Sequence, residues 1–503
     1  MAGGPETAAL ALGGSAPGLM EHSPENAPSH ADLRLQGSPD RCVRSFRYAA
    51  RMRSVNPATG ELVREYPEHD ADAVGRRLEV ARLASTAWRA TPIAARAGLL
   101  SHVGRLLRER RDEYARLMTL EMGKPIVAAE SEVEKCAWVC EHYAEHGARF
   151  LADETVATDA AKSLVRYEPL GVVLAVMPWN FPFWQVFRCV APALLAGNTV
   201  VLKHASNVPG CALAIEDVIR AAGAPEGAFT TLLVPSTVVS RLIADPAIAA
   251  VSLTGSESAG VEVAQAAGRA IKKTVLELGG SDPFVVLADA DLERTAAGAV
   301  AGRTVNNGQS CIAAKRFIVE DAIAQRFEAA LIEGLRRLTV GDPLDRAVAI
   351  GPLARADLRA DLHDQVERSV RAGARLALGG TIPPGRGFFY PPTVLTGVEP
   401  GMAAFDEETF GPLAAVTRAR DARHAIELAN RTRFGLGASL WTGDPARGEA
   451  LAAEIDAGAV FVNGIVKSDP RLPFGGVKRS GYGRELSEFG IREFVNVKSV
   501  WIA

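Results

Sequence analysis

Apolar residues recur at helical spacing in two early stretches of the chain. Between residues 99 and 118 they alternate with basic and acidic side chains, and a second amphipathic stretch runs from about Ser131 to Phe150. Both patterns predict helices with one buried face. Short, nearly continuous apolar runs follow, separated by helix-sized segments with Gly or Pro at the turns: Val172–Val176, Thr199–Leu202, Thr230–Val234, Val251–Leu253 and Phe284–Leu287. Strands buried on both faces have this character, so we expect a parallel α/β sheet.

The chain is long enough for several such units. Its 503 residues correspond to about three domains at roughly 150 residues each. A second apolar alternation, from about Phe317 to Val460, predicts a further α/β unit. Residues 1–52 differ, because they are rich in Ala, Gly, Pro, Ser and His without a sustained hydrophobic period, and we predict a disordered N-terminal tail there. A misplaced start codon, with Met52 as the true initiator, is the alternative, and acidic residues disfavour a transit peptide.

Charge and cysteine content restrict the partners and the location. Lys and Arg total 56, Asp and Glu total 59, and this net charge of -3 gives no indication of a nucleic-acid or membrane partner. The longest uncharged stretch, Pro169–Phe187, contains Pro, Asn and Gln in its second half, so we expect no membrane span. The six cysteines form no regular framework. We therefore expect free thiols and a cytoplasmic protein.

Four short motifs carry candidate chemistry. Glu277 ends a strand-like run before two glycines, and Cys311 follows the loop Asn306–Ser310, in which a backbone amide can point at a substrate oxygen. Either residue alone could be structural, since buried cysteines usually serve packing. They occur, however, together with the segments Met177–Pro182 and Glu407–Pro412. This combination is difficult to explain by packing alone.

With these motifs, the sequence resembles the aldehyde dehydrogenase superfamily from Asn56 to the C-terminus. Other matching segments are Asn56–Glu61, Glu121–Pro125, Leu253–Ser256 and Pro473–Lys478. The resemblance implies an α/β fold with a Rossmann-like cofactor domain, an α/β catalytic domain and a small β oligomerisation element. We assign residues 53–159 and 175–276 to the first, 277–482 to the second, and 160–174 with 483–503 to the third. The third would combine a hairpin around Ser163–Val173 with Phe494–Trp501 and pair edge strands between the subunits of a homodimer or homotetramer.

The resemblance also implies a reaction. Cys311 corresponds to the nucleophile, whose thiolate attacks an aldehyde carbon to give a thiohemiacetal. The side-chain amide of Asn180 and the backbone N–H of Cys311 would form the oxyanion hole. After a hydride has passed to the nicotinamide, Glu277 would activate the water that hydrolyses the remaining thioester to a carboxylic acid.

The cofactor residues of the family have counterparts in this chain. Gly255 and Ser256 begin a GxxxxG turn after a strand, where a helix N-terminus would face the pyrophosphate. Lys203 would hold the hydroxyls of the adenosine ribose, and Glu408 would hold the nicotinamide ribose. The expected cofactor set is completed by Trp179 and Phe410.

Ser206 bears on the choice between the two dinucleotides. Family members restricted to NAD often have Glu at this position, where it grips the ribose 2′-hydroxyl and repels a 2′-phosphate. Serine removes that repulsion and leaves Lys203 available for phosphate charge. We therefore expect NADP to be accepted and preferred, and NAD to be usable. His204 stands where many relatives have Pro, which leaves the local backbone open.

Within the family, the sequence is most similar to succinate-semialdehyde dehydrogenases, over Trp179–Arg188, Lys203–Pro209 and Ser468–Gly476. This similarity implies that Arg188 clamps the far carboxylate of a semialdehyde. Ser468 would add a hydroxyl donor, and Trp184 and Phe474 would form apolar walls. From the residues alone, the alternative for Arg188 is a surface or interdomain ion pair.

Two departures from these relatives matter. Some of them have a second arginine six residues before the nucleophile, where this chain has Val305, and we expect helical geometry to turn Arg303 away. Glutarate semialdehyde and broad-range aliphatic aldehydes therefore stay open as substrates. Some relatives have a second cysteine two residues after the nucleophile, and the pair acts as a redox switch. This chain has Ala313 at that position, so we expect no disulfide regulation at this site.

Other kinds of protein are also considered. CoA-acylating relatives generally lack the general base that Glu277 supplies, and a catalytically silent binding protein would not need Cys311, Asn180 and Glu408. His142 and His146 are four residues apart and could share a metal, but no third ligand is close in sequence. We expect no metal, and a small-molecule aldehyde as the partner.

Overall fold

A computed structural model describes residues 51–503 of the protein. This part opens with a two-stranded antiparallel ribbon, four helices and two further strands: β1 Arg51–Val55, β2 Leu62–Pro67, α1 Ala71–Ala90, α2 Ile93–Glu109, α3 Arg111–Met122, α4 Ile126–Phe150, β3 Glu154–Thr155 and β4 Lys162–Pro169. The predicted tail lies outside the described residues as far as residue 50. Arg51 and Met52 differ from the prediction because they start β1, and the Met52 side chain is buried.

Six strands form the first large sheet. Its consecutive elements are β5 Val172–Met177, α5 Trp184–Ala196, β6 Thr199–His204, α6 Pro209–Ala221, β7 Phe229–Thr231, α7 Val239–Ala244, β8 Ile248–Thr254, α8 Glu257–Arg269 and β9 Lys273–Glu277. With the C-terminal strand β17 Gly481–Tyr482, the order is β17-β9-β8-β5-β6-β7. All pairs among β5 to β9 are parallel. The chain runs outward from β5 on one side through β6 and then on the other through β8, so a crevice opens at their carboxyl ends.

Seven strands form the second large sheet, in the order β12-β13-β14-β11-β10-β15-β16. Its elements are β10 Pro283–Val286, α9 Leu292–Thr304, β11 Arg316–Glu320, α10 Asp321–Arg336, α11 Ala356–Arg371, β12 Arg375–Leu378, β13 Thr393–Thr396, α12 Ala403–Asp406, β14 Leu413–Ala419, α13 Ala422–Asn430, β15 Gly437–Trp441, α14 Pro445–Ala452 and β16 Ala459–Val462. All pairs are parallel except β12 with β13. The predicted run Phe284–Leu287 corresponds to β10, so it belongs to this sheet.

The chain ends with β17 Gly481–Tyr482, α15 Ser487–Arg492 and β18 Val495–Ile502. β18 pairs antiparallel with β4 over its whole length, and β4 also pairs with β3, which gives a three-stranded sheet within one chain. The hairpin partner of β4 is therefore β3. The strand that begins at Val172 belongs to the six-stranded sheet, as does β17, so the expected segment boundaries are displaced at these points.

Helices α2 to α5 share one core with the six-stranded sheet, and α5 packs directly on β5 and β6. α4 packs against α2, α3 and α5, and its buried stripe includes Val133, Cys136, Ala137 and Cys140. No helix among residues 51–503 combines the length and the apolar character that a membrane crossing requires.

Candidate active site

Two cavities meet at Cys311. One, which we call the strand-end cavity, has a volume of about 350 Å³ and lies at the carboxyl ends of β5, β8 and β9. The other, of about 370 Å³, is lined by residues of α4 and α5 and is called the α4–α5 cavity. Both cavities are lined by Cys311 and Gln185. A thiol at this junction can react with a molecule in one cavity while facing a molecule in the other.

The loop before Cys311 has a strained backbone. Asn306, Asn307 and Gly308 adopt positive φ angles of 53°, 59° and 74° in succession. The Asn307 side chain holds this shape, since its Nδ2 donates to the carbonyls of Gly123 and Pro352, each at 3.0 Å. A Cβ on Gly308 would lie 2.4 Å from the backbone of the Gly411 carbonyl, so this position requires glycine. Such strain at a reactive residue is typical of a preorganised site.

Asn180 is joined to the same loop. Its Nδ2 donates to the Gln309 carbonyl at 3.1 Å, and the Asn306 side chain donates to the Asn180 carbonyl at 2.6 Å. An amide nitrogen carries two protons, and this contact uses one of them. Because Asn180 and Cys311 both line the strand-end cavity, the second proton of the amide is available there.

The environment of Cys311 differs from that of the other described cysteines. Cys136, Cys140, Cys189 and Cys211 are buried, whereas Cys311 is partly exposed; Cys42 lies outside the described residues. Burial raises the pKa of the Cys311 thiol to about 12, while the cations of Arg188 and Lys315 act to lower it. Cys311 therefore combines access to both cavities with nearby positive charge.

Glu277, the last residue of β9, is buried and lines neither cavity. Among the described residues its two carboxylate oxygens have no hydrogen-bond partner. Burial raises the pKa of Glu277 well above its ordinary value, and the neighbouring Glu485 raises it further, whereas Arg188 and Arg484 oppose this. The side chain faces Gly475, where a Cβ would lie 2.7 Å from Oε1. The structure thus does not bring this predicted residue into contact with the cavities.

Five of the seven predicted cofactor residues line the strand-end cavity: Trp179, Gly255, Ser256, Glu408 and Phe410. The ring of Trp179 meets that of Phe410 edge to face, with the ring centres 5.7 Å apart. Ser256 caps α8, and its Oγ accepts a hydrogen bond from the Ala259 N–H at 3.3 Å. The cavity therefore contains a helix N-terminus, which favours an anionic group.

Lys203 and Ser206 lie outside the lining of that cavity, at the carboxyl end of the adjacent strand β6. Ser206 is exposed in the loop that follows. Burial lowers the pKa of the Lys203 ammonium, and among residues 51–503 no neighbouring carboxylate offsets this effect. His204 ties this strand to the loop after β5, with Nε2 2.8 Å from the Pro182 carbonyl. These features suit the end of a nucleotide that extends beyond the strand-end cavity.

The four predicted substrate residues all line the α4–α5 cavity: Trp184, Arg188, Ser468 and Phe474. Arg188 forms a buried ion pair with Glu485, and its guanidinium carbon lies 4.6 Å from the centre of the Phe474 ring. Arg188 therefore does form an ion pair, but a buried one and not the surface pair that was one form of the alternative interpretation. Arg303 points elsewhere, as expected, and its Nη2 donates to the Gly308 carbonyl at 2.7 Å.

Sequence reasoning missed three charged residues in this region: Lys124, Glu132 and Lys135. Lys124 and Glu132 form a buried ion pair, and Glu132 Oε1 accepts hydrogen bonds from the backbone N–H groups of Phe183 and Trp184, each at 2.9 Å. Glu132 therefore anchors the start of α5. One available signal was that Glu132 falls within the apolar stripe of α4, where an unexplained carboxylate needs a partner.

Cations predominate among the charged residues that line the α4–α5 cavity. These are Lys124, Lys135, Arg188 and Lys467, with Glu132 as the single carboxylate in the lining. Among residues 51–503, no group of three or more His, Cys, Asp or Glu side chains is arranged to hold a metal ion. The arrangement can accept an organic anion whose reactive end reaches Cys311.

Comparison with known proteins agrees with this geometry. The chain is 54% identical over 450 residues to a probable succinate-semialdehyde dehydrogenase (NADP(+)) of Synechocystis sp., covering 90% of this chain and 99% of that protein. It is 50% identical over 448 residues to the succinate semialdehyde dehydrogenase (NAD(P)+) Sad of Escherichia coli, covering 89% and 97%.

Solved structures give the same result for the fold. A succinic semialdehyde dehydrogenase of Streptococcus pyogenes in complex with NADP+ has a TM-score of 0.88 at 38% identity, covering 90% of this chain and 99% of that one. The lactaldehyde dehydrogenase of Escherichia coli has the same TM-score at 34% identity, with coverages of 91% and 96%. These two proteins differ in the substrate they are named for, so the fold alone does not select the substrate.

The family model described as the aldehyde dehydrogenase family matches residues 46–500. The predicted α/β fold and the predicted family are both confirmed. Since this family model spans most of the chain and the relatives align over nearly their whole length, this chain belongs to the aldehyde dehydrogenase family.

Proposed function

We propose that this enzyme oxidises succinate semialdehyde to succinate, with NADP as the preferred cofactor and NAD as a usable one. The observation that carries the proposal is the position of Cys311 between the strand-end cavity and the cation-lined α4–α5 cavity. A short molecule with an aldehyde at one end and a carboxylate at the other suits that charge pattern. The names of the similar Synechocystis sp. and Escherichia coli proteins support the same substrate.

The chemistry begins at Cys311. Its Sγ attacks the aldehyde carbon after the thiol has lost its proton, a loss that burial opposes and that Arg188 and Lys315 favour. The new bond gives a thiohemiacetal with negative charge on the former aldehyde oxygen. We assign the stabilisation of that charge to the backbone N–H of Cys311 and the remaining amide proton of Asn180.

The strand-end cavity suits the nicotinamide cofactor. Bound NADP supplies an acceptor for the hydrogen and electron pair that leave the aldehyde carbon. The α8 N-terminus favours a phosphate group, and in the described part of the chain no carboxylate neutralises the buried Lys203 ammonium. We assign cofactor binding to Trp179, Lys203, Ser206, Gly255, Ser256, Glu408 and Phe410.

Hydrolysis of the resulting thioester is assigned to Glu277. A carboxylate with a raised pKa is a stronger base than an exposed glutamate and accepts a proton from water more readily. Glu277 must rotate away from Gly475 to reach the thioester, since it lines neither cavity in its present position. Water then adds to the carbonyl carbon, the carbon–sulfur bond breaks, and the carboxylic acid leaves.

A panel of aldehydes assayed with both cofactors tests this proposal. We expect kcat/KM for succinate semialdehyde to exceed that for butanal at least about tenfold, because a charge-assisted hydrogen bond contributes ~1.5–3 kcal/mol. Equal values would indicate a broad-range aldehyde dehydrogenase, and a preference for glutarate semialdehyde would change the substrate. A KM for NADP well above that for NAD would contradict the cofactor preference.

We also propose a homo-oligomer, a dimer or a tetramer, in which the free edge of β18 contacts a second copy. Among the described residues this edge has no partner strand, and it carries Val497, Trp501 and Ile502 with exposures of 59%, 58% and 48%. Apolar side chains on an open strand edge favour association. Light scattering after size exclusion is expected to give at least a dimer, and Trp501→Lys is expected to weaken it. A monomer for the unmodified chain would contradict this.

A further inference from the structure

Lys135 is placed on the wall of the α4–α5 cavity by the middle of α4. Its Nζ donates a hydrogen bond to Ser468 Oγ at 2.8 Å and lies 4.4 Å from the centre of the Trp184 ring. Within residues 51–503 no carboxylate lies within ion-pair distance of this ammonium. Lys135 is therefore a largely buried cation whose contacts are a hydroxyl and an aromatic face.

The other buried cations of the cavity differ from Lys135 in this respect. Lys124 is neutralised by Glu132, and Arg188 is neutralised by Glu485. Lys467 is exposed, so water screens its charge. A buried charge without a counter-ion is costly, and in this cavity the missing negative charge can come from a bound molecule.

Ser468 strengthens this argument. Its Oγ accepts a hydrogen bond from Lys135 and another from Trp184 Nε1, at 2.8 Å and 3.1 Å. A hydroxyl has two acceptor sites and one proton. With both acceptor sites occupied, the proton of Ser468 is left to be donated to an acceptor. The ammonium and the hydroxyl together form a receptor suited to a carboxylate.

We propose that Lys135 is a specificity-determining residue that binds the far carboxylate of the substrate, together with Ser468 and opposite the reactive end at Cys311. This inference rests on the proposed function and names the charge that selects its substrate. It gives the substrate carboxylate a second cation beside Arg188, from α4, in place of the arginine that some relatives have at the position of Val305. Arg188 then contributes its remaining N–H groups while its own charge is balanced by Glu485.

The titration of Lys135 gives an independent readout. Burial, and then the cation of Arg188, lowers the pKa of Lys135 to about 8, against the opposing effects of Cys136, Glu132 and Asp469. A bound carboxylate requires the protonated form. The ratio of kcat/KM for succinate semialdehyde to that for butanal is therefore expected to fall as the pH rises through about 8. Using the ratio removes the contribution of Cys311, which both aldehydes share.

The decisive variant is Lys135→Gln, which removes the charge and can keep a hydrogen bond to Ser468. We expect its KM for succinate semialdehyde to rise roughly thirtyfold or more, as for truncation of a buried charge partner, with butanal oxidation retained. Lys162→Gln is the control, since it removes an exposed lysine that lines neither cavity, and we expect less than about a threefold change. The pH dependence of the substrate ratio is expected to disappear in Lys135→Gln alone.

The outcomes separate this inference from the function it rests on. An unmodified enzyme that does not prefer succinate semialdehyde over butanal would overturn both the proposed substrate and the role of Lys135. An unmodified enzyme with that preference, together with a Lys135→Gln variant that keeps it, would overturn the inference alone. An equal loss for both aldehydes in the variant would also overturn it, because Lys135 would then have a structural role.

Discussion

The two cavities that meet at Cys311 are built in different ways. More than half of the residues that line the strand-end cavity lie at the carboxyl ends of strands of one parallel sheet, such as Trp179 after β5 and Gly255 after β8. The α4–α5 cavity is formed by side chains from helices and loops that are far apart in sequence. The first depends on backbone topology, whereas the second depends on how α4 packs against α5. In the proposed function, a cofactor common to the family uses the first cavity and the second cavity selects the aldehyde.

Removing the thiol of Cys311, where the two cavities meet, has the largest expected effect on activity. Cys311→Ala is expected to leave less than about a hundredth of the activity with any aldehyde and either cofactor, because no nucleophile remains. The formation of reduced cofactor, followed by absorbance, measures this. Cys189→Ala is the matched control, since Cys189 is buried in α5 away from both cavities. Greater residual activity in Cys311→Ala would contradict the assigned nucleophile.

Glu277 lines neither cavity, so its substitution tests the hydrolysis of the thioester separately from the binding of cofactor and substrate. Glu277→Gln is expected to lower kcat by about a hundredfold or more, since the general base is lost. The thioester should accumulate, so one equivalent of reduced cofactor per active site is expected before turnover stops. A steady rate without this initial phase would show that another residue activates the water.

The same substitution is expected to stabilise the fold. The pKa of Glu277 is raised above its ordinary value of 4.5 in the folded protein, so stability is lost as the pH rises from that value through the raised pKa. Gln cannot ionise, and its advantage in Tm should therefore be absent below pH 4.5 and grow as the pH increases. A constant difference in Tm across the pH range would contradict the buried-carboxylate explanation.

Substitution of Arg188 tests whether this residue of the α4–α5 cavity stabilises the fold, binds the substrate, or does both. Arg188→Met leaves Glu485 buried without its cation, which is expected to cost ~3 kcal/mol of unfolding free energy. Arg188→Met combined with Glu485→Gln should recover most of that stability in denaturant titrations. If the double variant also recovers the KM for succinate semialdehyde, Arg188 serves the fold and not the substrate.

The smallest expected effect concerns the outer end of the cofactor region. Ser206→Glu places a carboxylate near Lys203, where it should repel a 2′-phosphate and accept a hydrogen bond from a ribose 2′-hydroxyl. We expect the ratio of kcat/KM for NADP to that for NAD to fall about tenfold, a change of ~1.4 kcal/mol. Ser206→Gln, which is similar in size but uncharged, is the control. An unchanged ratio would indicate that Ser206 lies beyond the reach of the ribose.

The success of sequence reasoning follows the same division. The family resemblance predicted Trp179, Gly255, Ser256 and Glu408, and the structure brings all four to one cavity. The first three lie in short motifs after strand ends, and Glu408 lies in the loop before β14. The family resemblance supplied Ser468 and Phe474. The boundaries of the segments were predicted less well, because they depend on which strands pair across the chain. The pairing of β17 with β9 is one example that the sequence pattern does not show.

Lys124, Glu132 and Lys135 were missed for a physical reason. Their roles depend on contacts between distant parts of the chain. Glu132 accepts hydrogen bonds from the N-cap and first residue of α5, 51 and 52 positions later, and Lys135 donates to Ser468 across 333 positions. A helical pattern identifies a buried face but not the group that the face will meet. The partners of charged residues in a buried helix face, such as Glu132 and Lys135 of α4, are defined only once the helix has packed against the rest of the protein.

The loop before Cys311 has a consequence for how the protein acquires activity. Its three left-handed residues are held through the Asn307 side chain, which donates to the Gly123 carbonyl and accepts from the Gly351 N–H, 184 and 44 positions away. Isolated, this loop would relax to a less strained backbone. The reactive shape therefore forms only after the helical layer and both sheets have come together. During refolding, thiol reactivity and catalysis should return after secondary structure, which makes Cys311 a reporter of completed assembly.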